Sequence, residues 1–133
     1  MSVKARFLAN TVSCGLVLAN FLISTSSTLR DFAVWRTSPN WLHTAAFICG
    51  FALGMNFDRI ASIFYGICSM ALIAVLIFSG VLISAALLSD TPVLDVVVLF
   101  AFQRSFPSFI SICVLGCVGA ALSMVLKSLL GQL

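Results

Sequence analysis

The stretch from Ile60 to Ser89, IASIFYGICSMALIAVLIFSGVLISAALLS, decides the fold. It carries no charged residue. As an α-helix its roughly 30 residues reach about 45 Å, against a bilayer hydrocarbon core of about 30 Å. Lipid supplies no water to a free N–H or C=O, so a run of this kind must satisfy its backbone internally, as a helix. Its excess length calls for tilt or for projection beyond the bilayer.

Working outward, three more long apolar runs appear. The predicted spans are residues 7–29, 39–57, 60–89 and 105–127, the last free of charge from Ser105 to Leu126. Each reaches the length of about 17–25 residues that a crossing requires. Alternating ten-residue segments, the signature of a membrane barrel, are absent. The expected class is all-α: a single domain over residues 1–133 with four transmembrane helices.

The punctuation between the runs agrees. Ser38-Pro39 offers an N-cap followed by proline at the first helical position. Asn56-Phe57-Asp58-Arg59 is a tight polar break, with Asp58 placed to cap the third helix. So short a connection predicts an antiparallel hairpin of helices two and three.

Residues 92–103 are the odd piece. Thr91-Pro92 opens a helix, and Asp95 sits in the first turn, where the helix dipole favours an anion. An apolar run follows, Gln103-Arg104-Ser105 interrupts it, and Pro107 restarts it. About a dozen residues are too few to cross. The segment is read as a short interfacial or re-entrant helix before the last span. The alternative is one long helix kinked at Pro107.

Composition supports a membrane protein. Of 133 residues 62% are hydrophobic and 8% charged, and mean hydropathy is +1.20. Soluble domains run about 45–50% apolar and about 25% charged. Seven Lys and Arg against four Asp, with no Glu, leave a formal net charge of +3. That balance excludes a soluble enzyme, a disordered tail and a nucleic-acid surface, which needs clustered basic charge.

Targeting and orientation follow from the same charges. Lys4 and Arg6 precede an apolar run, but Asn10, Thr11, Ser13 and Asn20 interrupt it and no small-residue cleavage site follows cleanly. An uncleaved anchor is expected. With the N-terminus inside, Lys4, Arg6, Arg59 and Lys127 face the cytoplasm, against Arg30, Arg36 and Arg104 outside. The bias favours a multi-pass protein with both termini cytoplasmic. Trp35 and Trp41 bracket the first loop as an aromatic belt would.

Groups for chemistry are scarce. There is one His and one Tyr, and no carboxylate lies inside a predicted span. Acid–base catalysis and proton-coupled transport normally use such groups. No catalytic residue, metal site or cofactor is expected. His43, near Trp41, is the one candidate haem or quinone contact, and haem would need a second axial ligand from a partner chain. The five Cys lie inside apolar runs with no C-x-x-C spacing, and only Cys113 and Cys117 share a helix face. They read as small packing residues, with a disulfide or metal pair as the alternative.

Arg104 stands with Gln103 at the helix break, beside a helix N-terminus. With Asp95 it forms the candidate site for a substrate or lipid headgroup. The alternative is a snorkelling anchor that sets the depth of the segment. Asn10, Ser13, Asn20 and Ser24 make a polar stripe on helix one, suited to hydrogen bonds across a helix interface worth about 0.6 kcal/mol each. Gly50-x-x-x-Gly54 and Gly116-x-x-x-Ala120 are small-xxx-small faces for close helix approach. A short echo relates Cys14-Gly15 with its following residues to Cys49-Gly50 with its own.

Known four-helix membrane families do not match. Small multidrug-resistance pumps place a Glu in the first helix, and this chain has none. The aromatic-flanked Thr-Ser stretch of fluoride channels is missing from Ile23 to Thr28. The expectation by elimination is a non-catalytic accessory or assembly subunit of a larger membrane complex. Its partners are the lipid bilayer and other membrane subunits, or itself as a homo-oligomer, and not nucleic acid. A small oligomeric transporter or channel is the rival, and a haem- or quinone-site anchor the third reading.

Overall fold

The computed structural model describes residues 2–25, 41–88 and 94–131. These form four α-helices: α1 (Val3–Thr25), α2 (Trp41–Asn56), α3 (Ile60–Leu88) and α4 (Leu94–Gly131). There is no strand among the described residues. The expected Ser38-Pro39 helix start, Trp35, Arg30, Arg36 and the Thr91-Pro92 opening lie outside them.

Three helices are long and apolar enough to cross a membrane: Val3–Thr25, Ile60–Leu88 and the Val98–Gly131 part of α4. The second expected span is described from Trp41 onward, as α2. Helix α2 has 16 residues, about 24 Å of rise.

Local chemistry explains where the helices begin and end. Ser2 caps α1: its Oγ accepts from the Ala5 N–H at 3.2 Å, and its carbonyl accepts from Arg6 N at 3.0 Å. That cap starts the helix ahead of Phe7. The break at residues 57–59 falls where the polar cluster placed it. Asp58, read as a cap for α3, has its carboxylate on Lys127 of α4.

The separate interfacial helix expected over residues 92–103 is not what forms. Helix α4 runs unbroken for 38 residues with Pro107 inside it. Proline removes one N–H and crowds the carbonyl of Gln103, at a cost of about 3 kcal/mol. Ending the helix there would instead strand several backbone groups in an apolar setting, each costing several kcal/mol. The Ser108 hydroxyl also donates to the Arg104 carbonyl at 3.0 Å, adding a hydrogen bond beside the proline.

Contacts at the two ends fix the topology. Phe7 and Phe57 meet edge to face with ring centroids 5.5 Å apart, and Lys127 reaches Asp58. The start of α1, the α2–α3 turn and the end of α4 therefore share one end. Arg104 reaches Thr25, and Ser79 faces Ser105. The end of α1, the later part of α3 and the early part of α4 share the other. Helices α1 and α3 run one way; α2 and α4 run the other.

Helix proximity does not follow sequence order. The closest partners are α2 with α4 and α1 with α3, both parallel pairs, while α3 with α4 comes next. Helices α2 and α3, although joined by a three-residue turn, share little surface. The reason lies in the small residues. A Cβ built on Gly50 would fall on the backbone of Gly116, and one on Gly119 would strike the Phe47 carbonyl. A Cβ on Gly54 would collide with Ser123 Oγ and come within 2.8 Å of the Ala120 carbonyl. Backbones this close admit only glycine. On α1, Gly15 makes room for a side chain, with Ile73 Cγ2 2.7 Å from the position of an added Cβ. The buried core fills the space between with Leu18, Leu22, Leu53, Ile67, Met70, Phe78 and Ile112.

Gly50→Val is expected to lower bundle stability by at least about 3 kcal/mol, because backbone rather than a movable side chain blocks the methyls. Gly80→Ala is the control. Its added methyl meets nothing within 4 Å, so stability holds or rises by up to about 1 kcal/mol. Thermal unfolding in a mild detergent compares the two; equal melting temperatures would show that the α2–α4 approach is not close.

Candidate functional site

The described polar chemistry gathers at the two ends of α4. Near its start, Arg104 donates through Nη2 to the Thr25 carbonyl at 3.2 Å. This bond ties the last described residue of α1 to α4. The Thr25 hydroxyl donates to the Leu22 carbonyl at 2.6 Å. Next to Arg104, buried Ser105 shares a 3.1 Å hydrogen bond with Ser79. Arg104 thus closes α1 onto α4, and Ser105 closes α3 onto α4.

Gln103 is exposed beside Arg104, and Asp95 is exposed in the first turn of the helix. Nine residues separate Asp95 from Arg104, about 13 Å along the axis. The structure places all three candidate headgroup residues on α4 but does not bring the two charges together.

At the far end, Lys127 Nζ donates to the Phe57 carbonyl at 3.2 Å and to Asp58 Oδ1 at 2.9 Å. A second cation of α4 thus holds the end of α2. The hydrogen bond from Lys127, then its charge, hold the Asp58 carboxyl below the usual carboxylate range. Asp58 is fully exposed, so the pair contributes little to stability.

The α1 stripe divides. Asn20 and Ser24 are buried, Asn10 is half-buried and Ser13 is exposed. Thr11 joins the buried set, and its Oγ1 makes no hydrogen bond. On the opposite pair, Gly50, Gly54, Gly116 and Ala120 meet across α2 and α4. His43 is exposed near the start of α2. Among the described residues no group of three or more His, Cys, Asp or Glu is placed to hold a metal ion.

Sequence reasoning missed three features. Thr25 as the acceptor for Arg104 lies 79 residues away, and no local pattern announces it. Ser79 and Ser105 looked like ordinary small polar residues in apolar runs. The third is a cross-helix meeting of cysteines: Cys14 with Cys49, and Cys68 with Cys113. The echo of Cys-Gly in helices one and two was the available signal for the first of these.

Two outcomes follow from these positions. Thr11→Val removes a buried unpartnered hydroxyl at nearly constant volume, and should raise stability by about 1 kcal/mol in a detergent melt; a drop would mean the hydroxyl bonds one turn back, to Phe7. Lys127→Ala should move the Asp58 titration midpoint up toward its ordinary value of about 3.9, read by carboxyl NMR in micelles. Because the folded midpoint is depressed, the pair's contribution is present above the unfolded carboxylate range and fades as pH falls through the folded midpoint. The variant should lack that acid-dependent loss, and an unmoved midpoint would mean the ion pair does not form. No protein-family model, curated protein or solved structure matches the chain.

Proposed function

We propose that the chain is a multi-pass integral membrane protein that crosses the bilayer four times and serves as a non-catalytic accessory or assembly subunit of a larger membrane complex. One observation carries this reading. Within the apolar runs Thr11, Asn20, Ser24 and Ser105 turn inward, and all four helices leave large apolar side chains outside. Arg104 donates to the Thr25 carbonyl of α1, and Lys127 to the Phe57 carbonyl just after α2. Asn20, Ser24 and Thr11 are buried in the bundle. The charge-free part of α4 between Arg104 and Lys127 spans about 33 Å as helix, close to the bilayer core of about 30 Å. The two cations therefore suit opposite membrane interfaces.

Helices α3 and α4 continue past the level of Ser79, Ser105 and Thr25. On that extension Leu87, Leu88, Leu99, Phe100 and Phe102 are exposed, Leu88 by 84%. An apolar surface that large marks a contact with lipid or protein. It supports a partner-binding role better than a conduit, since the buried amide of Asn20 does not line an open path. Lys4, Arg6, Arg59 and Lys127 lie at the end away from Arg104. The Lys and Arg bias supports that end, with both termini, on the cytoplasmic side.

Purification from native membranes in mild detergent tests the reading. The expected result is co-elution with other membrane proteins at a fixed ratio, and no Soret band beyond that of any partner. Arg104→Ala should weaken this assembly. A homo-oligomer that elutes alone and loses flux on Arg104→Ala with its assembly intact would replace the proposal with an oligomeric transporter or channel. A haem spectrum abolished by His43→Ala would replace it with an anchor for a prosthetic group.

A further inference from the structure

The five cysteines are free thiols, and four of them face another cysteine on a different helix. Cys14 of α1 and Cys49 of α2 stand in thiol hydrogen-bond contact. Cys68 of α3 and Cys113 of α4 do the same, with Cys117 close by. A cysteine that merely fills space packs against aliphatic carbon; that role gives no reason for thiols to meet in pairs.

The position of the first pair is informative. Helix α1 leans on α3 and helix α2 on α4, while α1 and α2 touch each other only lightly. Cys14 and Cys49 bridge that light seam. Each is followed by a glycine that pins its helix to a different neighbour. Gly15 meets Ile73 and the Met70 carbonyl; Gly50 meets the backbone of Gly116. The two Cys backbones are thus set from outside the pair, and they bring the thiols together. Cys49 is buried and Cys14 half-buried, so neither is offered to another molecule in the way an exposed thiol would be. Facing thiols on fixed backbones are the arrangement from which a disulfide closes with little movement.

We propose that Cys14 and Cys49 form a redox-closable dithiol that ties α1 to α2. Closure breaks two S–H bonds and makes one S–S bond. The two protons and two electrons pass to dioxygen dissolved in the membrane, which leaves as hydrogen peroxide. The disulfide converts the light seam into a covalent one and restricts the unfolded chain as well. This inference does not depend on the accessory-subunit reading.

The test uses the full chain in liposomes with Cys68, Cys113 and Cys117 changed to Ser. The sample is exposed to air with copper-phenanthroline, denatured, treated with N-ethylmaleimide and weighed intact. The expected product is a monomer two hydrogen masses lighter than the reduced chain and without a maleimide adduct. Adding Cys49→Ser should restore one adduct per chain. The oxidised form should melt at a higher temperature than the reduced form. Two adducts after oxidation, or a disulfide-linked dimer, would falsify the proposal. Peptide mapping of the oxidised parent chain decides the matter independently of the triple variant's folding: Cys14 joined to Cys49 supports it, and Cys14 free or joined elsewhere overturns it.

Discussion

Everything in this bundle rests on the approach of α2 to α4 at Gly50 and Gly116. In lipid no hydrophobic force draws helices together, because the acyl chains are as apolar as leucine; contact quality and hydrogen bonds decide. Helix α2 takes little surface from α3, its neighbour in sequence. What holds it is backbone against backbone at Gly50, Gly54, Gly116 and Gly119. Helix α1 meets α3 at Gly15, where the Ile73 side chain takes the space a Cβ would fill. The molecule is two parallel helix pairs, each joined by glycine and then set side by side.

Much of this was legible in the sequence and some was not. The apolar runs gave the helices, because only a helix satisfies its own backbone in lipid. The polar cluster at Asn56 to Arg59 gave the α2–α3 break, because charge does not belong in the bilayer core. The small-residue faces at Gly50 and Gly116 were visible too. Their pairing was not, since a face records how closely a partner approaches and not which partner it is. The short turn pointed to α3; the glycines chose α4. Pro107 misled for a similar reason. In water a proline amid polar residues ends a helix cheaply. Here the continuing helix costs one hydrogen bond and the broken one costs several.

The candidate site shows the same division. Arg104 stood out because a lone guanidinium beside an apolar run needs an explanation. Its neighbour Thr25 is invisible from sequence, being 79 residues distant. Lys127 drew attention only as the end of a span, yet it ties α4 to the α2–α3 turn through both Phe57 and Asp58. The two cations act alike. Each sits on α4 and each donates to a backbone carbonyl outside it, at Thr25 and at Phe57, so the longest helix fastens the bundle at two levels.

These fastenings are unevenly spread. Within the α2–α4 pair glycine lies against backbone, and within the α1–α3 pair Gly15 lies against the Ile73 side chain. Between the pairs, α3 and α4 share a broad face and the Ser79–Ser105 hydrogen bond, while α1 and α2 share little. The Phe7–Phe57 contact and the Arg104–Thr25 bond fasten α1 at its two ends but leave its middle light against α2. Cys14 and Cys49 meet on that lightly held side. A bond formed there would close the one side of the bundle that glycine contacts leave open.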